Sequence, residues 1–266
     1  MLEVIERTPG RESHQPPVLF VHGAWHGAWC WDEHFLDYFA DKGHRALALS
    51  LRGHGSSPAP RSMRLCSIAD FVADVASVAD GLGERPVVVG HSLGGFVVQK
   101  YLESHEAAAA VLLASAPPNG ILGFLARRFK RHPWYTASGL AMTRSLRGVG
   151  ATPELARETF FSPSHCEADV ARYAAELCEE YALRIAIDML WHDLPRPHLV
   201  TAPLLVLGAE DDVCFTQREV QATAAAYGTQ AEIFPKMSHD MMLDPGWLAV
   251  AERIHAWIET CVPATQ

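Results

Sequence analysis

The sixteen residues from Val87 to Leu102, VVVGHSLGGFVVQKYL, constrain the fold more than any other stretch. Val87, Val88 and Val89 are β-branched and continuously apolar, the pattern of a strand buried on both faces. Phe96, Val97, Tyr101 and Leu102 then fall at helical spacing. Only Gly90 to Gly95 lie between, so strand passes to helix through one sharp turn with Ser92 at its tip. Gly90 and Gly94 allow the two backbones to approach closely, while the serine is held in a strained conformation that projects its Oγ. The helix N-terminus there offers unpaired N–H groups and a positive dipole end, which stabilise an anion. A phosphate cradle would need GxGxxG or GxxxxGK(S/T), and neither is present. Ser92 is therefore expected to be a nucleophile.

The flanking segments repeat the β/α rhythm. Val18 to Val21 reads as a buried strand, Phe35, Leu36 and Phe39 as a helix ending at Gly43, and Arg45 to Leu51 as the next strand. Ser67 and Asp70 form a capping-box pair ahead of Ile68, Phe71, Val72, Val75, Val78 and Leu82. Ala110 to Ala114 is a further strand. Such alternation indicates an α/β fold with a mostly parallel sheet covered by helices on both faces. From 117 to 197 the rhythm breaks into basic and aromatic helical stretches, including a run from Asp169 to Leu190, without a convincing strand. The division expected is a core of 1–116 and 198–266 and an inserted helical cap, or lid, of 117–197. The alternation resumes with Leu204 to Leu207, a helix from Thr216 to Tyr227, and a strand at Glu232 to Phe234. A last helix is expected with Asp244 as its N-cap and Pro245 at its first position.

A nucleophilic serine needs a base and a group that orients it. With fourteen histidines in the chain, position decides. In parallel sheets the site lies at the carboxyl ends of the strands. His239, between the last strand and the last helix, meets that requirement. Glu210, Asp211 and Asp212 follow the preceding strand, and any of them could supply the acid. An oxyanion needs two N–H donors: Leu93 follows the nucleophile, and Ala24 lies in the glycine turn after Val18–Val21. His22 is a structural residue of that turn in this reading. The spacing of His22 and His26 is HxxxH, but no cysteine or carboxylate cluster accompanies it, so no metal site is expected. Trp25, Phe124, Trp134, Met142 and Met241 are candidates to line an apolar acyl pocket. Arg127, Arg128, Lys130 and Arg131 read as a solvated helix face.

Charge and composition limit the partners. A net charge of −9 argues against a nucleic-acid surface, and no stretch is long and apolar enough to span a bilayer. The opening MLEVIER lacks the basic start and apolar core of a secretory leader, and the six cysteines are scattered without a CxxC pair. A cytoplasmic protein with reduced cysteines is expected, as a monomer or homodimer without stable membrane insertion, acting on a small molecule without a cofactor.

Five segments, FVHGAW, RGHGSS, GHSLGG, GAEDDV and SHDMM, occur in the order found in the α/β-hydrolase superfamily, which this sequence resembles over nearly the whole chain outside 117–197. VHGAWHGAWCW is similar to plant methylesterases and hydroxynitrile lyases, whereas RGHGSS and the longer cap resemble bacterial serine esterases and monoacylglycerol-lipase-type enzymes. The resemblance implies an eight-stranded sheet, although the segment before Val18 is short for two strands. It implies Ser92 as nucleophile, His239 as base, Asp211 (from the pattern Gly208-x-x-Asp) as acid with Asp212 as the alternative, and Ala24 and Leu93 as oxyanion donors. Many relatives carry aspartate where this chain has Ser50. The activity implied is hydrolysis of a small to medium carboxylic ester through an acyl-enzyme intermediate. Thioester or C–C bond cleavage on the same triad, and a ligand sensor with little turnover, are the competing readings.

Overall fold

Val18 and Phe20 pack into one hydrophobic core and Leu19 and Val21 into another, because successive strand residues point to opposite faces of a sheet. That sheet organises the computed structural model, which describes residues 1–11, 13–59, 63–133, 152–180 and 183–262. Its strands are β1 (Val4–Arg7), β2 (Val18–Val21), β3 (Ala46–Leu49), β4 (Val87–His91), β5 (Ala109–Leu113), β6 (Leu204–Ala209) and β7 (Ala231–Phe234). Their spatial order is β1-β3-β2-β4-β5-β6-β7. All neighbours are parallel except β1, which runs antiparallel to β3. Seven strands among the described residues, rather than eight, follow from the single strand that precedes β2.

Helices α1 (Trp29–Asp32) and α2 (Phe35–Asp41) follow β2, and α3 (Ile68–Ala79) and α4 (Leu93–Tyr101) flank β4. Between β5 and β6 lie α5 (Leu122–Arg131), α6 (Pro153–Phe160), α7 (Glu167–Glu176), α8 (Leu183–Ile187) and a π-helical turn, Asp188–His192. Helices α9 (Gln217–Ala226) and α10 (Trp247–Cys261) complete the chain. α2 and α10 cover one face of the sheet, and α3, α4 and α9 the other, so both faces are dry. The Ser67–Asp70 capping box is formed, and Thr216 with Glu219 makes a second.

Two expected elements differ. The helical run from Asp169 to Leu190 is broken, because Leu177 adopts an extended backbone (ψ 131°) that ends α7. Asp244 does not cap α10, which begins at Trp247. The Asp244 carboxylate instead accepts the Gly246 N–H, making a turn that carries Pro245 outside the helix. Ser50 donates its hydroxyl to Glu3 and accepts the Ala28 N–H at 2.8 Å. Glu3 also holds the N–H and hydroxyl of Ser56, so a carboxylate from the chain's first residues secures the RGHGSS loop.

Candidate active site

Ser92 occupies the turn between β4 and α4 with φ 54° and ψ −117°, a conformation worth about 1–3 kcal/mol of strain. Surrounding packing enforces it. A Cβ on Gly90 would stand 2.5 Å from the Gly94 carbonyl oxygen, and one on Gly94 would collide with the carbonyls of Val21 and His22. The backbone of Ser92 is tied to β5, its N–H donating to Leu113 and its carbonyl accepting from Ala116. Its Oγ is thereby presented at the N-terminus of α4, at the carboxyl ends of the parallel strands.

His239 Nε2 lies 2.9 Å from Ser92 Oγ, and His239 Nδ1 lies 2.9 Å from Asp212 Oδ2. The acid beside the imidazole is therefore Asp212 and not Asp211. Asp211 is exposed, and its backbone N–H is spent on the Met237 carbonyl. Asp212 is turned inward because its Oδ1 accepts the N–H groups of Cys214 and Phe215 at 2.7 and 3.1 Å, which aims Oδ2 at His239. Burial disfavours the His239 imidazolium, but the Asp212 carboxylate opposes this and, with Cys214 also beside the ring, the group lies well above the ordinary imidazole value. Cys214 stands close by as a neutral thiol, because burial pushes it up. Such a relay can take the Ser92 proton while the carboxylate holds the ring in the required tautomer.

A second set of histidines fixes the loop after β2. His22 Nδ1 donates to the Gly23 carbonyl at 2.7 Å and its Nε2 accepts the Leu51 N–H at 3.0 Å. This orients the Gly23–Ala24 peptide beside the cavity that Ala24 lines, and burial keeps the ring neutral. Trp25 follows at φ 66°. Its N–H donates to Glu180, and the Ala24 carbonyl lies 2.7 Å from His26 Nδ1. His26 in turn meets Asp240, at 2.9 Å. His91 donates Nε2–H to the His239 carbonyl at 3.0 Å, bracing the loop that carries His239. Burial first, and the neighbouring His239 second, push the His91 imidazole down to about 3.

Ser92, Leu93, Ala24 and His239 border a cavity of about 100 Å³. Trp25 and Phe124 line it, as expected, with Ile121, Ile185 and Met189 from the segment between β5 and β6. Met241 does not. It is fully buried in the core with Trp31 and Ile254, and its N–H turns back onto the His239 carbonyl at 2.9 Å. Trp134 and Met142 lie outside the described residues. Glu180 and Cys214 also reach the cavity, and neither carries a sequence motif that would have singled it out. Of the basic face, Arg127 pairs with Glu219 at 2.7 Å and Arg131 with Glu158 at 2.6 Å.

Among the described residues, two clusters could present ligand atoms to a metal, His91–His239–Asp240 and Asp212–Cys214–His239. Both include His239, whose ring nitrogens already serve Asp212 and Ser92, so an ion there would break the relay. No described helix is long and apolar enough to cross a membrane.

A profile described as the alpha/beta hydrolase family matches residues 18–252. Probable esterase PIR7A of Oryza sativa subsp. indica is 40% identical over 104 residues, 38% of this chain and 39% of the relative. The match thus spans about two fifths of that relative's length. Among solved structures, a thermophilic esterase from Thermogutta terrifontis superposes with a TM-score of 0.75 at 20% identity, covering 99% of this chain and 94% of that one. A monoacylglycerol lipase from Paleococcus ferrophilus gives 0.70 at 20% identity, covering 98% and 99%.

Proposed function

This chain belongs to the alpha/beta hydrolase family, and we propose that it hydrolyses a small to medium carboxylic ester through an acyl-enzyme on Ser92. The observation that carries this reading is the continuous relay from Ser92 Oγ through His239 to Asp212 at the rim of an apolar cavity. His239, oriented by Asp212, removes the Ser92 proton as Oγ attacks the ester carbonyl. The N–H groups of Ala24 and Leu93 receive the oxyanion. Leu93 is the first residue of α4, so its N–H has no acceptor within the helix. His239 then protonates the departing alcohol. A water deprotonated by the same ring releases the acid, and no cofactor enters the balance.

The insertion of 117–197 acts as the lid in this scheme, since Ile121, Phe124, Ile185 and Met189 close the cavity over Ser92. The esterase name of the rice relative supports the choice of bond. The test is a panel of p-nitrophenyl esters of increasing chain length, with wild type and Ser92→Ala. A chain-length optimum in wild type, abolished by Ser92→Ala, is expected. Equal hydrolysis by both proteins, or none by either, would overturn the proposal.

A further inference from the structure

Glu180 enters the Ser92 cavity from the segment between α7 and α8, and its side chain is only 1% exposed. Its Oε2 accepts two hydrogen bonds, from the Trp25 N–H at 3.2 Å and from His54 Nε2 at 3.0 Å. Its Oε1 is equally buried and has no partner among the described residues. A carboxylate oxygen withdrawn from water without a donor is costly. Ile121, Ile185, Met189 and Leu190, which line the same cavity, have no side chain that could donate.

The charge of this corner decides what could fill the gap. Both ring nitrogens of His54 face acceptors, Nε2 toward Glu180 and Nδ1 toward the Arg52 carbonyl at 3.2 Å. Burial alone would depress this imidazole, but the Glu180 charge and hydrogen bond outweigh it and hold the group above its ordinary value. Glu180 and His54 thus form a buried carboxylate–imidazole pair in which the ring can donate at both nitrogens and is held toward its charged form. An ammonium would bring an uncompensated positive charge beside His54. A neutral donor satisfies Oε1 without that penalty.

We infer that Glu180 is a substrate-recognition residue, and that the cavity takes an ester bearing a hydroxyl group that donates to Glu180 Oε1. The inference rests on the ester-hydrolase reading for its chemistry, but its recognition half can be measured separately.

Two matched series test it: p-nitrophenyl butyrate with its 3-hydroxy and 3-methoxy analogues, and butyl acetate with its 2-hydroxy and 2-methoxy analogues. The methoxy group accepts but cannot donate. Wild type is expected to favour the hydroxyl ester by about 10–100-fold in kcat/KM over both analogues in one series, the effect of one hydrogen bond to a charged acceptor. In Glu180→Gln the single amide oxygen stays with Trp25 and His54, so the cavity faces NH2. The hydroxyl-over-methoxy ratio should fall to near one. Any general loss from a loosened Trp25 loop cancels in that ratio. Wild-type ratios near one in both series, or a ratio that survives Glu180→Gln, would overturn the inference. Calorimetric binding of the same esters to Ser92→Ala, with and without Glu180→Gln, reads the preference without turnover. A binding preference in a protein whose Ser92 no fluorophosphonate labels would sink the hydrolase reading alone. Labelling with flat ratios would sink this inference alone.

Discussion

Asp211 and Asp212 are adjacent after β6, yet one is exposed and the other is buried against His239. Truncating them should therefore have very different effects. Asp212→Asn removes the charge that stabilises the imidazolium and the acceptor that sets its tautomer, so kcat should fall by about 10⁴-fold. Asp211→Asn should leave kcat within about threefold of wild type, as for an exposed position away from the site. The two rates reversed would overturn the assignment. The pH profile carries the same information. His239 must be neutral to act as a base, and Asp212 raises it above 6.5. The acid limb of kcat/KM should thus lie above pH 6.5, with activity lost as pH falls through it. Residual Asp212→Asn activity should show that limb displaced to lower pH. His91, at about 3, should contribute no inflection near neutrality. Sequence narrowed the acid to three neighbours and the Gly208-x-x-Asp pattern then pointed to Asp211, the wrong one, because the deciding contacts are the Cys214 and Phe215 N–H groups on Asp212 Oδ1. Glu180 was beyond sequence reading altogether. Its partners, Trp25 and His54, are 155 and 126 residues away.

At the scale of single elements, the turn between β4 and α4 depends on backbone contact that no side chain can relieve. Gly94→Ala places a methyl group against the carbonyls of Val21 and His22 and should cost about 1–3 kcal/mol. Ser67→Ala, which removes the α3 cap, should cost about 1 kcal/mol. Urea midpoints measure both, and an unchanged midpoint for Gly94→Ala would contradict the close approach of α4 to β2. These local features were legible because capping boxes and glycine turns are short-range patterns. The start of α10 was not. Asp244 followed by Pro245 matches a helix start, but the same residues serve a turn that the Asp244 carboxylate closes on Gly246. The break after Leu177 was also hidden, since helical periodicity in α7 and α8 is the same whether or not they are continuous.

Across the whole molecule, the site joins segments that the parallel strands bring to one end of the sheet: residues 22–25 after β2, 92 and 93 after β4, 212–214 after β6 and 239 after β7. The apolar strands and their alternation made this arrangement readable, because in a parallel sheet the loops at one end necessarily meet. Which side chains reach the cavity was not readable. Met241, two residues from His239, is directed into the core, while Ile185 and Met189 arrive from an insertion with no motif. The central claim is that this convergence activates one hydroxyl. Its most direct test is labelling with a fluorophosphonate, followed by peptide mass spectrometry on wild type, Ser92→Ala and Asp212→Asn. The expected result is a single stoichiometric adduct on Ser92, absent in Ser92→Ala and slowed by orders of magnitude in Asp212→Asn. Labelling at another residue, or at Ser92 with an undiminished rate in Asp212→Asn, would contradict it.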